Sequence, residues 1–444
     1  MELWREIMGS LEQWKASARR KPLVIQGARQ IGKTWIMRKF GALHYEHVAY
    51  FNFDASQELC REFERTKEPS RLLGILQLYA GVPIVAGRTL LIFDEIQQSN
   101  KALNSLKYFC EQAPEYHVVA AGSLLGVSLS HGDSFPVGKV DFLRMYPLTF
   151  REFLRADSRS VYDYMESLTS VDEPLPEIVM GKAMEAFRRY QVCGGMPAAA
   201  SAMLSGEGVT AVASIQKDVL TAYSLDFAKH APTRDIPRIA AIWQSLPSQL
   251  ARENRKFLYR LVKPGARARE YEDALLWLEH AGLIYRIFCS TKPGLPLTAY
   301  DDVSAFKIYA CDVGLLRAMA GLPVEALWTD APLYKEFKGA LAENAVLQSL
   351  AAQFDPLPRY WASSGTAEVD FLLQHGLSIS PIEVKAGESL NGKSLAVYAK
   401  TYRPELAIRF SMRNLKKDGI VLNLPLFMAD WTKSLCEQLL SAKL

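Results

Sequence analysis

Within the octapeptide Gly27-Ala28-Arg29-Gln30-Ile31-Gly32-Lys33-Thr34 a strand must end, turn sharply and open a helix, and few folds allow that. The spacing is GxxxxGK[ST], with an apolar run at 23–25 before it and a helical pattern from Trp35 after it. Gly27 and Gly32 permit backbone angles that turn successive amide N–H groups toward one point. That point lies in front of a helix N-terminus, whose dipole favours negative charge. The turn is therefore a cradle for phosphates, lined by Ala28, Arg29, Gln30 and Ile31. Lys33 is placed to reach the β- and γ-phosphates of ATP, and Thr34 to hold Mg²⁺.

Apolar runs at 23–25, 48–53, 90–93 and 118–121 alternate with helical patterns, which predicts a largely parallel sheet wrapped by helices. The run at 90–93 ends in Asp94-Glu95. Asp94 is positioned to bind Mg²⁺ through its water shell, and Glu95 to polarise the water that attacks the γ-phosphate. The run ending at Ala121 leads to Gly122-Ser123, where a hydroxyl could read the γ-phosphate.

The 444 residues suffice for several domains, and 49% hydrophobic with 23% charged residues excludes disorder and low-complexity architectures. Pattern shifts divide the chain into an ATPase core at 1–155, a helical lid at 156–235, a further domain at 236–312 and a last α/β domain at 313–444. The six cysteines include no CxxC pair, which fits a reducing compartment. The N-terminal stretch is charged throughout, without the apolar region of a signal peptide, and no run approaches the roughly 18 apolar residues of a membrane span. A cytoplasmic protein with no membrane partner is expected.

With GARQIGKT, LLIFDEIQ, AAGSLL, YPLTFREFL, CGGMP, ENAVLQSL and EVDF…PIEVK, the chain resembles the AAA+-type ATPases of bacteria and archaea that carry a C-terminal domain of unknown function. That resemblance spans nearly the whole chain and implies an oligomer, a ring or a dimer, in which an arginine of one copy serves the next. Arg144, Arg151 and Arg155 are the candidates. Family members usually place an Arg where this chain has Lys139, which lacks the planar bidentate fork.

Between residues 252 and 269 the chain concentrates seven cations, Arg252, Arg255, Lys256, Arg260, Lys263, Arg267 and Arg269, against one acid, Glu253. Read as a basic helical segment followed by turn, helix and strand, this has the order of a winged helix. Its cations would neutralise DNA phosphates.

Near the C-terminus, residues 368–385 read as a hairpin. A fold midpoint between Gly376 and Leu377 sets Asp370 opposite Glu383, and Glu383 and Lys385 share a face. Two adjacent carboxylates suit a hard cation, Mg²⁺ or Mn²⁺, and Lys385 could orient a water beside it. The stretch is similar to the PD-(D/E)XK nucleases, with a restriction-endonuclease-like fold. The resemblance makes Asp370 and Glu383 metal ligands, Lys385 catalytic, and Glu343 the helical acid. Three readings stand: an ATP-driven protein that remodels or cleaves DNA, possibly branched; a nucleotide-controlled switch whose last domain binds without cutting; and an ATPase acting on protein partners.

Overall fold

The computed structural model describes residues 3–122, 138–252, 256–328, 334–387 and 392–441. Contacts gather the chain into two compact units. One is Arg5–Tyr146 with His280–Leu283; the other is Met1–Trp4, Pro147–Glu279 and Ile284–Leu444. Among the described residues no helix is long and apolar enough to cross a membrane, and all six cysteines are free thiols.

In the first unit β1 (Leu23–Gln26), β2 (His47–Asn52), β3 (Thr89–Asp94), β4 (His117–Ala121) and β5 (Asp141–Arg144) form a parallel sheet in the order β2-β3-β4-β1-β5. β3 and β4 are buried along their whole length, as strands covered on both faces must be. One face packs Phe63, Phe93 and Phe109 edge to face, at 5.7 and 5.9 Å between centroids. On the other, the helix Lys33–His44 lies so close that a Cβ on Gly41 would meet the Val48 side chain at 2.7 Å. The four apolar runs are four of these strands. β5 is an edge strand whose Phe142 and Arg144 are exposed, so it presents no continuous apolar run to be read. An N-terminal helix spans Ile7–Ala16, with Leu11 and Trp14 buried.

The second unit begins with helices Phe150–Asp157, Arg159–Glu166, Glu177–Cys193, Pro197–Leu204 and Val209–His230. Helix Ile236–Leu250, a single turn at Tyr259–Val262 and helix Ala268–His280 then lead into a hairpin of β6 (Ile284–Ser290) and β7 (Asp301–Ala310). The expected basic helix over 252–269 needs correction: its described cations lie mostly on the connections around that single turn. Gln249 holds Leu258 through both backbone groups, and Phe257 stacks on Phe306 at 5.2 Å. With its apolar residues spent on these anchors, the connection turns its charges outward.

β6 also pairs with β8 (Arg359–Ala362), so the hairpin continues a mixed eight-stranded sheet. Beyond β8 come β9 (Glu368–His375), β10 (Ser378–Val384), β11 (Ala407–Ser411), β13 (Val421–Pro425) and the edge strand β12 (Lys416–Asp418). β9 and β10 pair antiparallel with His375 opposite Ser378 and Phe371 opposite Ile382, the register expected from the fold midpoint.

YPLTF, CGGMP and ENAVLQSL meet in one buried junction. The Leu148 amide donates to the Gly195 carbonyl at 2.7 Å and the Tyr190 hydroxyl to the Leu148 carbonyl at 2.6 Å. The Gly195 amide donates to Asp312 at 2.5 Å, and Gln348 donates to the Tyr190 hydroxyl at 2.9 Å. Burial pushes the Asp312 carboxyl up to about 6. These motifs join helices to the C-terminal sheet rather than carrying chemistry.

Candidate functional site

β1 delivers the chain to Gly27, whose Cβ would sit 2.2 Å from the Met145 carbonyl oxygen; only glycine fits. Gln30 (φ 64°) and Gly32 (φ 94°) are left-handed, and helix Lys33–His44 starts immediately afterwards. A non-glycine residue in that region stores about 1 kcal/mol or more of strain, which the surroundings must hold. Arg5 does so from behind: its buried guanidinium donates to the Ile31 carbonyl at 2.9 Å and the Tyr146 carbonyl at 2.6 Å. Gly282 passes the other side, where a Cβ would lie 3.2 Å from the Ala28 nitrogen.

Lys33 is buried, and its ammonium donates to the carbonyls of Gly27 (2.9 Å) and Ala28 (2.6 Å). The Thr34 hydroxyl donates to Asp94 Oδ2 at 2.7 Å, which places two hard oxygen donors side by side as Mg²⁺ requires. Tyr50 also donates to Asp94 Oδ2, at 2.8 Å, and Arg38 lies 3.8 Å from the centre of the Tyr50 ring. Glu95 follows in a left-handed conformation (φ 52°), and Gln97 donates to its Oε2 at 2.5 Å. Asp94 and Glu95 therefore diverge, one toward Thr34 and one toward Gln97. Ser123 lies outside the described residues. Arg5, Tyr50 and Gln97 were missed in the sequence. Gln97 alone had a signal, two positions after Glu95, whereas Tyr50 needs the β2–β3 register that sets Asn52 beside Asp94.

Burial lowers the Lys33 ammonium to about 8, against the opposing pull of Glu95 and Asp94. Phosphates bound beside it would keep it protonated, so complex formation takes up a proton once the free protein has lost one. Nucleotide affinity should therefore stay level just below pH 8 and fall above it, approaching about tenfold per pH unit. In the free protein the sign is opposite: between about 8 and 10.5 the unfolded chain holds the proton more tightly, so stability rises with pH through that window. Titrations of nucleotide binding across this range check the slope; a flat profile contradicts the role given to Lys33.

In the basic segment, Arg260, Lys263, Arg267 and Arg269 are exposed, and no side-chain ion pair engages them among the described residues. Lys256 is exposed beside Asp302. Arg252 is half-buried, and Arg255 lies outside the described residues. Three of the four acids on the following helix are ion-paired, Glu272 and Glu279 with Arg286 and Asp273 with Arg234, while Glu270 is exposed beside the Arg267 backbone amide. Arg151 pairs with Glu166, Arg155 stacks on Trp4 at 3.9 Å, and Lys139 pairs with Glu111 at 2.9 Å. Arg144 is exposed on β5, 5.6 Å from the Tyr146 ring.

Of the C-terminal acids, Glu383, Glu343 and Glu368 lie against cations of the chain itself, and among the described residues Asp370 does not. Asp370 accepts from the Val384 amide at 2.8 Å. Glu383 is buried between Lys385 at 3.2 Å and Arg409 at 3.3 Å. Glu343 accepts from Tyr309 and lies 3.7 Å from buried Lys307, which bonds Glu368 at 2.6 Å. Among the described residues no group of three or more acids, histidines or cysteines could hold a metal ion. Of the expected metal set, Glu383 and Glu343 are thus paired with cations of the chain and as they stand do not fit Mg²⁺ or Mn²⁺, whereas Asp370 is bonded by a backbone amide.

Residues 19–154 match the AAA domain family, and residues 184–326 and 338–427 match two domains of unknown function, DUF8612 and DUF4143. Comparison with curated proteins returns no match. Among solved structures, the Walker-type ATPase of Pyrococcus abyssi is similar at 13% identity and TM-score 0.45, over 72% of this chain and 96% of that one. The RuvB Holliday junction branch migration motor of Thermotoga maritima is similar at 14% and 0.31, over 64% and 90%. For the Aeropyrum pernix Orc1 protein in complex with DNA the values are 13% and 0.25, over 73% and 93%. The family match and the phosphate-cradle geometry together make the first unit an AAA-type P-loop ATPase domain.

Proposed function

We propose that this protein is a Mg²⁺-dependent ATPase whose cycle is coupled to DNA held at the exposed cations of residues 256–269, in a winged-helix-like arrangement. The observation that carries the ATPase reading is the convergence of Lys33, Thr34 and Asp94 on the turn after β1, with Glu95 held apart by Gln97. Lys33 exchanges its two carbonyl partners for phosphate oxygens, and the cradle amides take the rest of that charge. Thr34 and Asp94 would hold Mg²⁺, which would supply charge neutralisation to the transferring phosphoryl group. Glu95 accepts the proton of the attacking water, and Gln97 fixes its carboxylate. Arg144, exposed on an edge strand, is the arginine best placed to serve a neighbouring copy in a homo-oligomer; Arg151 and Arg155 have partners within the chain.

DNA binding rests on four outward cations without ion-pair partners among the described residues, a feature suited to phosphates rather than base edges. The nuclease-like domain is assigned to binding without cutting, because Arg409 and Lys307 already pair with Glu383 and Glu343, two of the three acids that a metal would need. One set of assays tests both claims. Arg260, Lys263 and Arg267 reversed together to Glu should weaken duplex binding for all sequences alike and reduce its salt slope by about three. The parental protein should hydrolyse ATP faster with duplex or branched DNA present and leave that DNA uncut in Mg²⁺ or Mn²⁺. Unchanged affinity in the folded triple variant removes the DNA reading. Cutting that disappears in Asp370→Ala restores the nuclease.

A further inference from the structure

Helix Glu177–Cys193 turns Met180, Met184 and Arg188 to one side, a single turn apart, with Gly181 between them. Together with Glu185, Trp328 and Met412 they line a cleft of about 600 Å³, inside the roughly 300–1,000 Å³ range of small-molecule sites. Its walls are preformed. Asn414, two residues past Met412, exchanges hydrogen bonds with both backbone groups of Leu175 at 3.0 and 2.8 Å, and Asn423 donates to the Asn414 carbonyl at 2.9 Å. Trp328 ends the 3₁₀ turn Val324–Trp328 and keeps 47% of its surface exposed.

Two charged residues line the cleft, Arg188 and Glu185, and the acid is already paired with Arg189. The Arg188 Nε is buried with no hydrogen-bond partner, and no ion pair engages it among the described residues. The neighbouring Arg189 takes both nearby acids, Asp157 at 2.6 Å and Glu185 at 2.7 Å. A buried guanidinium N–H without an acceptor is costly, so a bound anion would recover free energy there. Three thioethers and an indole favour a flat, polarisable ring system, and a guanidinium favours a carboxylate or sulfonate at its edge.

We propose that the cleft formed by Met180, Met184, Met412, Trp328 and Arg188 is a binding site for a small aromatic monoanion, independent of the ATPase and DNA readings. The probe is anilinonaphthalene sulfonate, with its uncharged parent phenylnaphthylamine as control, each titrated into the full-length protein. Saturable one-site binding of the sulfonate is expected. Arg188→Met should weaken the sulfonate about tenfold or more and the uncharged probe by less than about twofold, as loss of a charge-assisted hydrogen bond requires. Gly181→Leu should remove both probes: a Cβ there meets nothing within 4 Å, so the new side chain fills the cleft without disturbing the fold. Sulfonate binding that either folded variant leaves unchanged overturns the site, as does non-saturating binding that is the same in all three proteins. If Arg188→Met does not fold, Gly181→Leu decides alone.

Discussion

Glu95→Gln is expected to bind ATP with parental affinity and to hydrolyse it about a hundredfold more slowly or worse, the usual loss when a general base is removed. The geometry separates the two effects. Lys33 and the cradle amides sit on the turn after β1, while Glu95 points away from Asp94 in a left-handed conformation (φ 52°) that turns its carboxylate to Gln97. The amide isostere keeps a hydrogen bond to Gln97 and loses only basicity. Lys33→Ala should fail earlier, at binding, because it removes the buried ammonium that sits on the Gly27 and Ala28 carbonyls where the phosphates would lie. Equilibrium binding and steady-state turnover on the two variants check this, and parental turnover in Glu95→Gln would falsify the assignment.

Gly195→Val should cost about 3 kcal/mol or more of stability, near the limit of what a chain of this kind tolerates. A Cβ at Gly195 would lie 2.1 Å from the Leu148 carbonyl oxygen and 2.8 Å from its nitrogen, and neither backbone atom can move without breaking the Leu148–Gly195 hydrogen bond. The same side chain would push the Gly195 amide off Asp312, leaving a buried carboxylate short of a donor. Urea unfolding reads the loss. A parental midpoint would mean that the junction of YPLTF, CGGMP and ENAVLQSL yields more than its contacts imply.

The nucleotide turn was legible because all its requirements are local: eight consecutive residues set the turn, the helix start and the cation. The β9–β10 register was legible for a related reason, since the hairpin pivots on Gly376 (φ 55°) and Leu377 and short range leaves little freedom. What escaped came from distant segments. Arg5 reaches the phosphate turn from the stretch just before helix Ile7–Ala16, where no local pattern marks it, and Tyr50 reaches Asp94 through strand register. Lys307 and Arg409 arrive at the C-terminal acids from β7 and β11. Without them, Asp370, Glu383 and Lys385 read as a metal site; with them, Glu383 and Glu343 are already paired with cations. The cations of 252–269 were legible as charge but not as connection, because periodicity cannot show that Phe257 and Gln249 anchor the backbone there.

Phosphate release from ATP by the full-length protein, followed with and without Mg²⁺ in the parental chain and in Lys33→Ala, bears most directly on the ATPase assignment. Release that needs Mg²⁺ and vanishes in Lys33→Ala is the outcome that Lys33, Thr34, Asp94 and Glu95 require. Release that persists in folded Lys33→Ala, or none from parental protein that binds ATP and Mg²⁺ with DNA present, contradicts it.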